Sequence, residues 1–462
     1  MKRLVVALAL VALVALATVG SSLSLPVPVA YADGVATYSG SIDGASYLIE
    51  VPSDWNRTLV LYSHGYVTPG ASNPARDVGD PVTRTWLLGH GYALAGSSYS
   101  TTGWAVQQAL HDQTALLDYF DEHIGQPTRT IAWGHSLGGM ITAGLVQLEP
   151  ERFAGALPMC GVVGGGVGTW NTALDGEFAF RLLLAGASSP LQIVDITDPG
   201  ANLGLAEQIL AAAQATPQGR ARIALVAAYT ALPGWFSSTS PEPADSDYAT
   251  REYNQYLWMG NVVFPFAFAF RAELEARAGG NPSWNTDVNY ARQLARSVNL
   301  DEVAALYQQA GMSLNQDIAT LTQAPRIAAD AGAVAYLSNY IVYDGQLDIP
   351  VLTMHTTGDG LVINEEERAY ANVVHPAGDA PLLREVFVHR AGHCAFTPAE
   401  TVAAFQTLIR RLDTGIWGGS TDPALLDQEA LSLGPAFNVA PPAFIDFSPA
   451  PFPRPFDIRD LS

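Results

Sequence analysis

A chain of 462 residues that is 48% hydrophobic and 10% aromatic has ample material for one large core, which excludes a disordered or fibrous protein. Its 44 acidic residues against 23 basic ones give a formal charge of −21, so nucleic acid and anionic membranes are disfavoured as partners. Lys2 is its one lysine, an arginine bias to which we attach no function.

The chain opens with Lys2-Arg3, an uninterrupted apolar run from Leu4 to Val19, and Ala30-Tyr31-Ala32 before Asp33. This order of basic, apolar and small residues reads as a signal peptide, residues 1–32, cleaved after Ala32, and places the mature protein outside the cell. A membrane anchor would need about 20 apolar residues, and Ser21, Ser22 and Ser24 break the run early. The richest later stretch, Gly260 to Phe270, is short and followed by Arg271 and Glu273, so no stable membrane insertion is expected.

Next, Ala36 to Val51 alternates as edge strands do, and Leu59-Val60-Leu61-Tyr62 is a buried strand leading into Ser63-His64-Gly65-Tyr66. A Pro-, Gly-, Asn- and Asp-rich loop runs from Val67 to Pro81, and a helix ends at Trp86 to His90. A strand follows at Tyr92 to Ser97, then a helix between Gly103 and Ile124. This alternation indicates a mostly parallel sheet. The strand Arg129 to Trp133 then meets Gly134-His135-Ser136-Leu137-Gly138, and a helix-like run starts at Met140. A serine hydroxyl is a poor nucleophile at neutral pH, and a sharp strand-to-helix turn flanked by glycines is the device that exposes one to a histidine.

Two further loop positions complete that chemistry. Asp359 lies beyond the strand Ile349 to Met354, and His393 lies beyond the strand Glu385 to His389. Both stand at carboxyl ends of strands, where open α/β sheets place their ligand crevice. Rivals fit less well. His389 falls inside a strand, Asp344 and Asp348 precede theirs, and Asp175 lies fifteen positions past the strand that ends at Cys160.

In order and context these motifs resemble the serine hydrolases of the α/β-hydrolase superfamily, over roughly residues 50–160 and 340–415. The resemblance implies an α/β-hydrolase fold, with a mostly parallel central sheet, helices on both faces and an inserted, mainly helical lid. It implies Ser136 as nucleophile, His393 as base and then acid, and Asp359 as the carboxylate that holds the imidazole. It also implies an oxyanion hole from the backbone N–H groups of Tyr66 and Leu137. The single-glycine form of the His64-Gly65 element leaves the choice of donor open. His64 and His135 are read as structural hydrogen-bonding neighbours.

The divisions that follow are a first core part at 33–161, a helical insertion at 162–341, a second core part at 342–414 and a Pro-rich extension at 415–462. Helix-like runs in the insertion include Phe178 to Leu184, Leu205 to Ala215, Gly219 to Leu232, Glu252 to Arg277 and Leu300 to Gln309. Trp170, Phe178, Phe180, Trp235, Phe236, Trp258, Phe264, Phe266, Phe268 and Phe270 are candidates for a pocket lining, although most are expected to be core. The even spacing of Phe264, Phe266, Phe268 and Phe270 suits an extended segment better than a helix. Pro398 to Leu412 is a helix with Thr397 as N-cap, and phenylalanines in the extension indicate that it packs on the core.

Cys160 and Cys394 are the only cysteines, an even pair in an exported chain, and both map to the carboxyl edge of the sheet. They are expected to form a disulfide worth on the order of 4 to 5 kcal/mol, less any strain. No histidine and carboxylate cluster has metal-ligand spacing and no cofactor motif occurs, so neither metal nor cofactor is expected. The reading is a secreted carboxylic-ester hydrolase acting through an acyl-enzyme on a small-molecule or oligomeric ester. The alternative is an amidase or aminopeptidase with the same triad, with Glu177, Glu207, Asp245, Asp247 and Glu252 available to hold a substrate ammonium. A polyester depolymerase and a non-catalytic binding module rank lower, and the oligomeric state is open.

Overall fold

The computed structural model describes residues 29–30, 34–186 and 188–457. The leader and its cleavage point therefore lie outside the described residues, apart from Val29–Ala30. The strands are β1 (Val29–Ala30), β2 (Val35–Ile42), β3 (Ala45–Pro52), β4 (Thr58–Ser63), β5 (Ala93–Ser97), β6 (Arg129–His135), β7 (Gly155–Met159), β8 (Val351–Gly358), β9 (Leu383–Ala391) and β10 (Phe444–Ile445). They form one sheet in the order β1-β2-β3-β5-β4-β6-β7-β8-β9-β10. The central run from β5 to β9 is parallel, and antiparallel strands close both edges. Every residue of β4, β5 and β7 is buried, as parallel strands covered on both faces require.

Alternation within a strand sends successive side chains into two layers. Leu59 and Leu61 of β4 join the core shared with the helices Val106–His123 and Leu137–Leu148. Val60 and Tyr62 join the core shared with Pro81–Gly89 and Pro398–Thr414. The connection from β4 to β5 thus packs on one face and the connection from β5 to β6 on the other. Strand order reverses at β4, which opens a crevice at its carboxyl end beside β6.

Between β7 and β8 the chain leaves the sheet for a helical insertion, from Gly166–Phe180 to Ala331–Asn339, with an apolar core of its own. Its helices start where the sequence supplies caps. Asp198, Thr216, Asp247 and Ser313 each accept a first-turn N–H, and Pro199 and Pro217 occupy first helical positions.

One long helical stretch, Tyr248 to Ala278, contains π turns at Met259–Val263 and Phe266–Phe270. The evenly spaced phenylalanines are therefore helical, not extended. They make two interleaved i,i+4 pairs, Phe264 with Phe268 at 4.7 Å and Phe266 with Phe270 at 5.4 Å between ring centroids. The first pair enters the insertion core, and the second faces Tyr66. Burial on two sides of one helix produced the two-residue period.

The extension beyond Gly415 forms the helix Pro423–Ser432 and adds β10 to β9. It then crosses to the insertion, where Arg454 pairs with Asp175 at 3.1 Å.

Candidate active site

Ser136 sits at the turn between β6 and the helix Leu137–Leu148 with φ 60° and ψ −126°, a region that costs a non-glycine residue about 1–3 kcal/mol. Its neighbours explain how the turn fits. A Cβ on Gly138 would lie 1.9 Å from the backbone oxygen of Ser63, and one on Gly134 would lie 2.3 Å from that of Gly138. A Cβ on Gly65 would lie 3.2 Å from Cβ of Ser136, so the loop after β4 passes directly beside the serine. Leu137 opens its helix, which leaves its backbone N–H without an intrahelical acceptor. The N–H of Tyr66 likewise has no backbone acceptor among the described residues.

The Ser136 hydroxyl lies 2.8 Å from His393 Nε2, and His393 Nδ1 lies 2.7 Å from Asp359 Oδ2. The other carboxylate oxygen, Oδ1, accepts the backbone N–H groups of Leu361 and Val362 at 2.9 and 3.1 Å. Burial alone would raise the Asp359 pKa. The His393 charge, the His355 imidazole 3.6 Å away and the hydrogen bond from His393 outweigh it and hold the carboxyl at about 2. His355 is fully buried on β8 behind this carboxylate, with Nδ1 2.9 Å from Glu367 Oε1 and Nε2 2.8 Å from the Val362 carbonyl. Burial disfavours its charge, yet Asp359 and Glu367 raise its pKa to about 10. It is a buried imidazolium between two carboxylates, which lowers the energy of ionised Asp359.

Cys160 and Cys394 are disulfide-bonded. The bridge joins the end of β7 to the residue after His393, and Cys394 Sγ lies 3.4 Å from His393 Nε2. Above Ser136 lies a cavity of about 110 Å³ lined on the core side by Tyr66, Trp104, Leu137, Val162, Leu361 and Val362. The insertion supplies Thr169, Trp170, Ala173, Val263, Phe266 and Ala267. Not one of these side chains is charged.

A curated relative, o-phthalyl amidase from Xanthobacter agilis, is 30% identical over 410 residues, which span 82% of this chain and 88% of that protein. The chain belongs to its family, the serine hydrolases of the α/β-hydrolase superfamily. A family model described as the prolyl oligopeptidase family matches residues 89–166, the stretch that carries Ser136. Among solved structures, the hydrolase resembles an esterase from Aspergillus oryzae (12% identity, 83% of this chain and 80% of that chain, TM-score 0.39). It also resembles the rice cell wall degrading esterase LipA from Xanthomonas oryzae in a ligand-bound form (12% identity, 82% and 89%, TM-score 0.36).

The hydrolase keeps the rival residues away from the serine hydroxyl. His389 is exposed and pairs with Glu242 at 3.2 Å. Asp175 is buried against Arg454, Tyr290 and Gln293. His135 is half-buried beside the Tyr62 hydroxyl at 3.2 Å, and desolvation together with the His393 charge lowers its pKa to about 4. His64 is held between the carbonyls of Gly65 and Ser98. Of the ten aromatic candidates in the insertion, Trp170 and Phe266 line the cavity, while Phe178, Phe180, Trp258, Phe264 and Phe268 belong to the insertion core. Trp258 also packs against Gly360, beside Asp359.

Sequence reading missed Thr169, Ala173, Val263, Leu361 and Val362 at the cavity and gave His355 no role. Thr169 and Ala173 share one helix face at i,i+4 with Trp170 beside them, which is the signal that could have found them. His355 is four residues before Asp359, but its partner Glu367 lies on the following helix and is invisible to local pattern.

Proposed function

We propose that this hydrolase is exported and transfers an uncharged, largely apolar acyl group from an ester or amide to water through an acyl-enzyme on Ser136. The observation that carries the reading is the hydrogen-bonded chain Ser136–His393–Asp359 opening into a cavity with no charged side chain. His393 Nε2 takes the Ser136 proton as Oγ attacks the carbonyl carbon, then returns it to the leaving group. The same nitrogen next takes a proton from water as the water oxygen attacks the acyl carbon, and returns that proton to Ser136 Oγ as the acyl–oxygen bond breaks. Asp359 holds the Nδ1–H tautomer and offsets the imidazolium charge. The backbone N–H groups of Leu137 and Tyr66 stabilise the oxyanion, each worth about 3 kcal/mol. The insertion acts as the lid over the acyl group. The disulfide fits an oxidising compartment, and no helix among the described residues is long and apolar enough to cross a membrane.

Amide cleavage stands beside ester cleavage because the relative that spans most of the chain is an amidase. The o-phthalyl group of that relative's name has a flat aromatic ring, and Tyr66, Trp104, Trp170 and Phe266 offer such a ring faces and edges to pack on. The aminopeptidase version has weaker support. Glu177 is bound to Arg271 and Glu252 is buried against Gln214, while Asp247 caps a helix and none of the five acids borders the cavity.

The test offers purified mature protein p-nitrophenyl esters, aromatic-acyl anilides including a benzoyl anilide, and aminoacyl p-nitroanilides, with Ser136→Ala and a serine-directed phosphonate as controls. Turnover of the first two classes, lost in Ser136→Ala and after phosphonate, supports the reading. Preferential cleavage of aminoacyl anilides, or full activity in Ser136→Ala, refutes it.

A further inference from the structure

The cavity over Ser136 has a neighbour that shares part of its wall. Thr169, Ala173, Val263 and Leu361 line it and also line a second cavity of about 80 Å³. The residues at the junction are small or branched, and all four are only partly buried. Thr172, Thr230, Leu232, Gly360, Ile363 and Phe452 complete the inner chamber. The Thr172 and Thr230 hydroxyls each donate to a carbonyl four residues earlier in the chain, at 3.0 and 3.1 Å, and the Thr169 hydroxyl is shared between the Gly165 carbonyl and the Glu366 carboxyl, at 2.9 and 2.7 Å. Their hydrogens are spent, and they offer the chamber methyl groups.

Glu366 is the ionisable side chain at this wall. Its carboxyl is engaged by the Gly164 N–H and the Thr169 hydroxyl, and burial raises its pKa to about 8. Phe452, from the C-terminal extension, is buried against Ile363 and Ala369. It is held two residues on by Arg454, which grips Asp175 at 3.1 Å and the Trp284 carbonyl at 3.1 Å. An apolar room beside the site of acyl transfer, walled in part by a segment that comes from outside the insertion and is anchored on it, is suited to receive something longer than the outer cavity holds.

We propose that the chamber behind Ala173 and Val263 is a second substrate subsite that takes the distal apolar part of an elongated acyl group, with Phe452 of the extension as its far wall. The proposal rests on the reading of Ser136 as nucleophile. It assigns the enzyme to acyl groups with a long apolar tail or a second ring, and makes residue 452 a determinant of their length.

The experiment compares wild type, Thr230→Leu, which fills the chamber, and Phe452→Ala, which opens its wall, on p-nitrophenyl acetate and decanoate. It also compares ethyl and decyl p-nitrophenyl phosphonates, with the adduct located by peptide mass. The wild type is expected to favour the long chain in kcat/KM and in phosphonylation rate. Thr230→Leu lowers the long-to-short ratio about tenfold or more, since a methylene or two misplaced in an apolar pocket carries that factor. Phe452→Ala moves the preferred length upward. Ser136 adducts with the same chain-length ratio in all three proteins overturn the subsite and leave the nucleophile standing. No adduct at Ser136 with any phosphonate overturns the nucleophile, and the subsite with it. Should Thr230→Leu fail to fold, Phe452→Ala with an unshifted length profile is sufficient to reject the proposal.

Discussion

Replacing both bridge cysteines, Cys160→Ala with Cys394→Ala, separates two contributions of the disulfide. The first is global. The bridged residues are 234 positions apart, and the loop-closure relation then gives about 5.5 kcal/mol of stabilisation through the unfolded chain. An unfolding entropy of about 2.1 cal/mol/K per residue comes to roughly 1 kcal/mol/K for a chain of 462 residues, so the double variant should melt about 6 °C lower. The second contribution is local. Cys160 and Cys394 have φ of 43° and 52°, and the bridge ties both of these unusual turns to each other. Cys394 is bonded to His393 through the chain, so loss of the bridge frees the imidazole to drift from Ser136. A misplacement near 1 Å costs up to about 100-fold in rate. Calorimetry of the native and double-variant proteins reads the first contribution, and the second-order rate of Ser136 phosphonylation reads the second. The native protein should show no titratable thiol. A melting point within 1 °C of native together with an unchanged phosphonylation rate would refute both lines of reasoning.

Asp359→Asn should leave the fold intact and reduce kcat by about 10⁴, as loss of the tautomer-fixing carboxylate does in the chymotrypsin-type triad, and an ester progress curve checks it. His355 bears on pH. Its folded pKa is raised to about 10 from 6.5, so its contribution to stability is full below pH 6.5 and is lost as pH rises through 10. Denaturant unfolding from pH 6 to 10 should show that decline, and His355→Gln should flatten it. An equal decline in the variant would show that other groups produce it. At the acid end, Asp359 is depressed from 3.8 to about 2, so its contribution is present above pH 3.8 and disappears as pH falls through 2. The wild type should therefore lose stability across that window, and Asp359→Asn should lose less.

What could be read from the chain was whatever is decided locally. Gly134, Ser136 and Gly138 are legible because the turn itself forbids side chains at its flanks. Asp359 and His393 are legible because each follows a strand that announces itself by composition, and the cysteine pair because strand ends place both on one edge. The long helix through Phe264 and Phe270 was misleading, since a helix buried on two faces loses the polar face that reveals its period. His355 and Arg454 were silent for another reason. Their partners, Glu367 and Asp175, are brought to them by tertiary packing, and nothing in the spacing of 12 or of 279 residues encodes the pairing.

The unusual backbone of the site has a distribution that explains its rigidity. Tyr99, Ser136, Cys160 and Cys394 all have positive φ, and they follow β5, β6, β7 and β9. Such residues persist only where their surroundings over-determine them, and here each is held by something other than its own strand. The Ser136 N–H donates to the carbonyl of Met159 on β7 at 3.0 Å, and the Cys160 N–H donates to that of Met354 on β8 at 2.7 Å. Cys394 is held to Cys160 by the bridge, and the Tyr99 hydroxyl donates to the carbonyl of His64 after β4 at 2.9 Å. Ser136, Cys160 and Cys394 are therefore linked to one another across the sheet, and Tyr99 is tied to the loop after β4. In the proposed reaction a floor built this way positions the serine, the imidazole and the backbone N–H groups of Leu137 and Tyr66 before substrate arrives, which is the condition under which fixed dipoles are most effective. About half of the wall around the acyl group in that reaction comes from the insertion, and Phe452 comes from the extension, so acyl selectivity can be altered there without disturbing the floor.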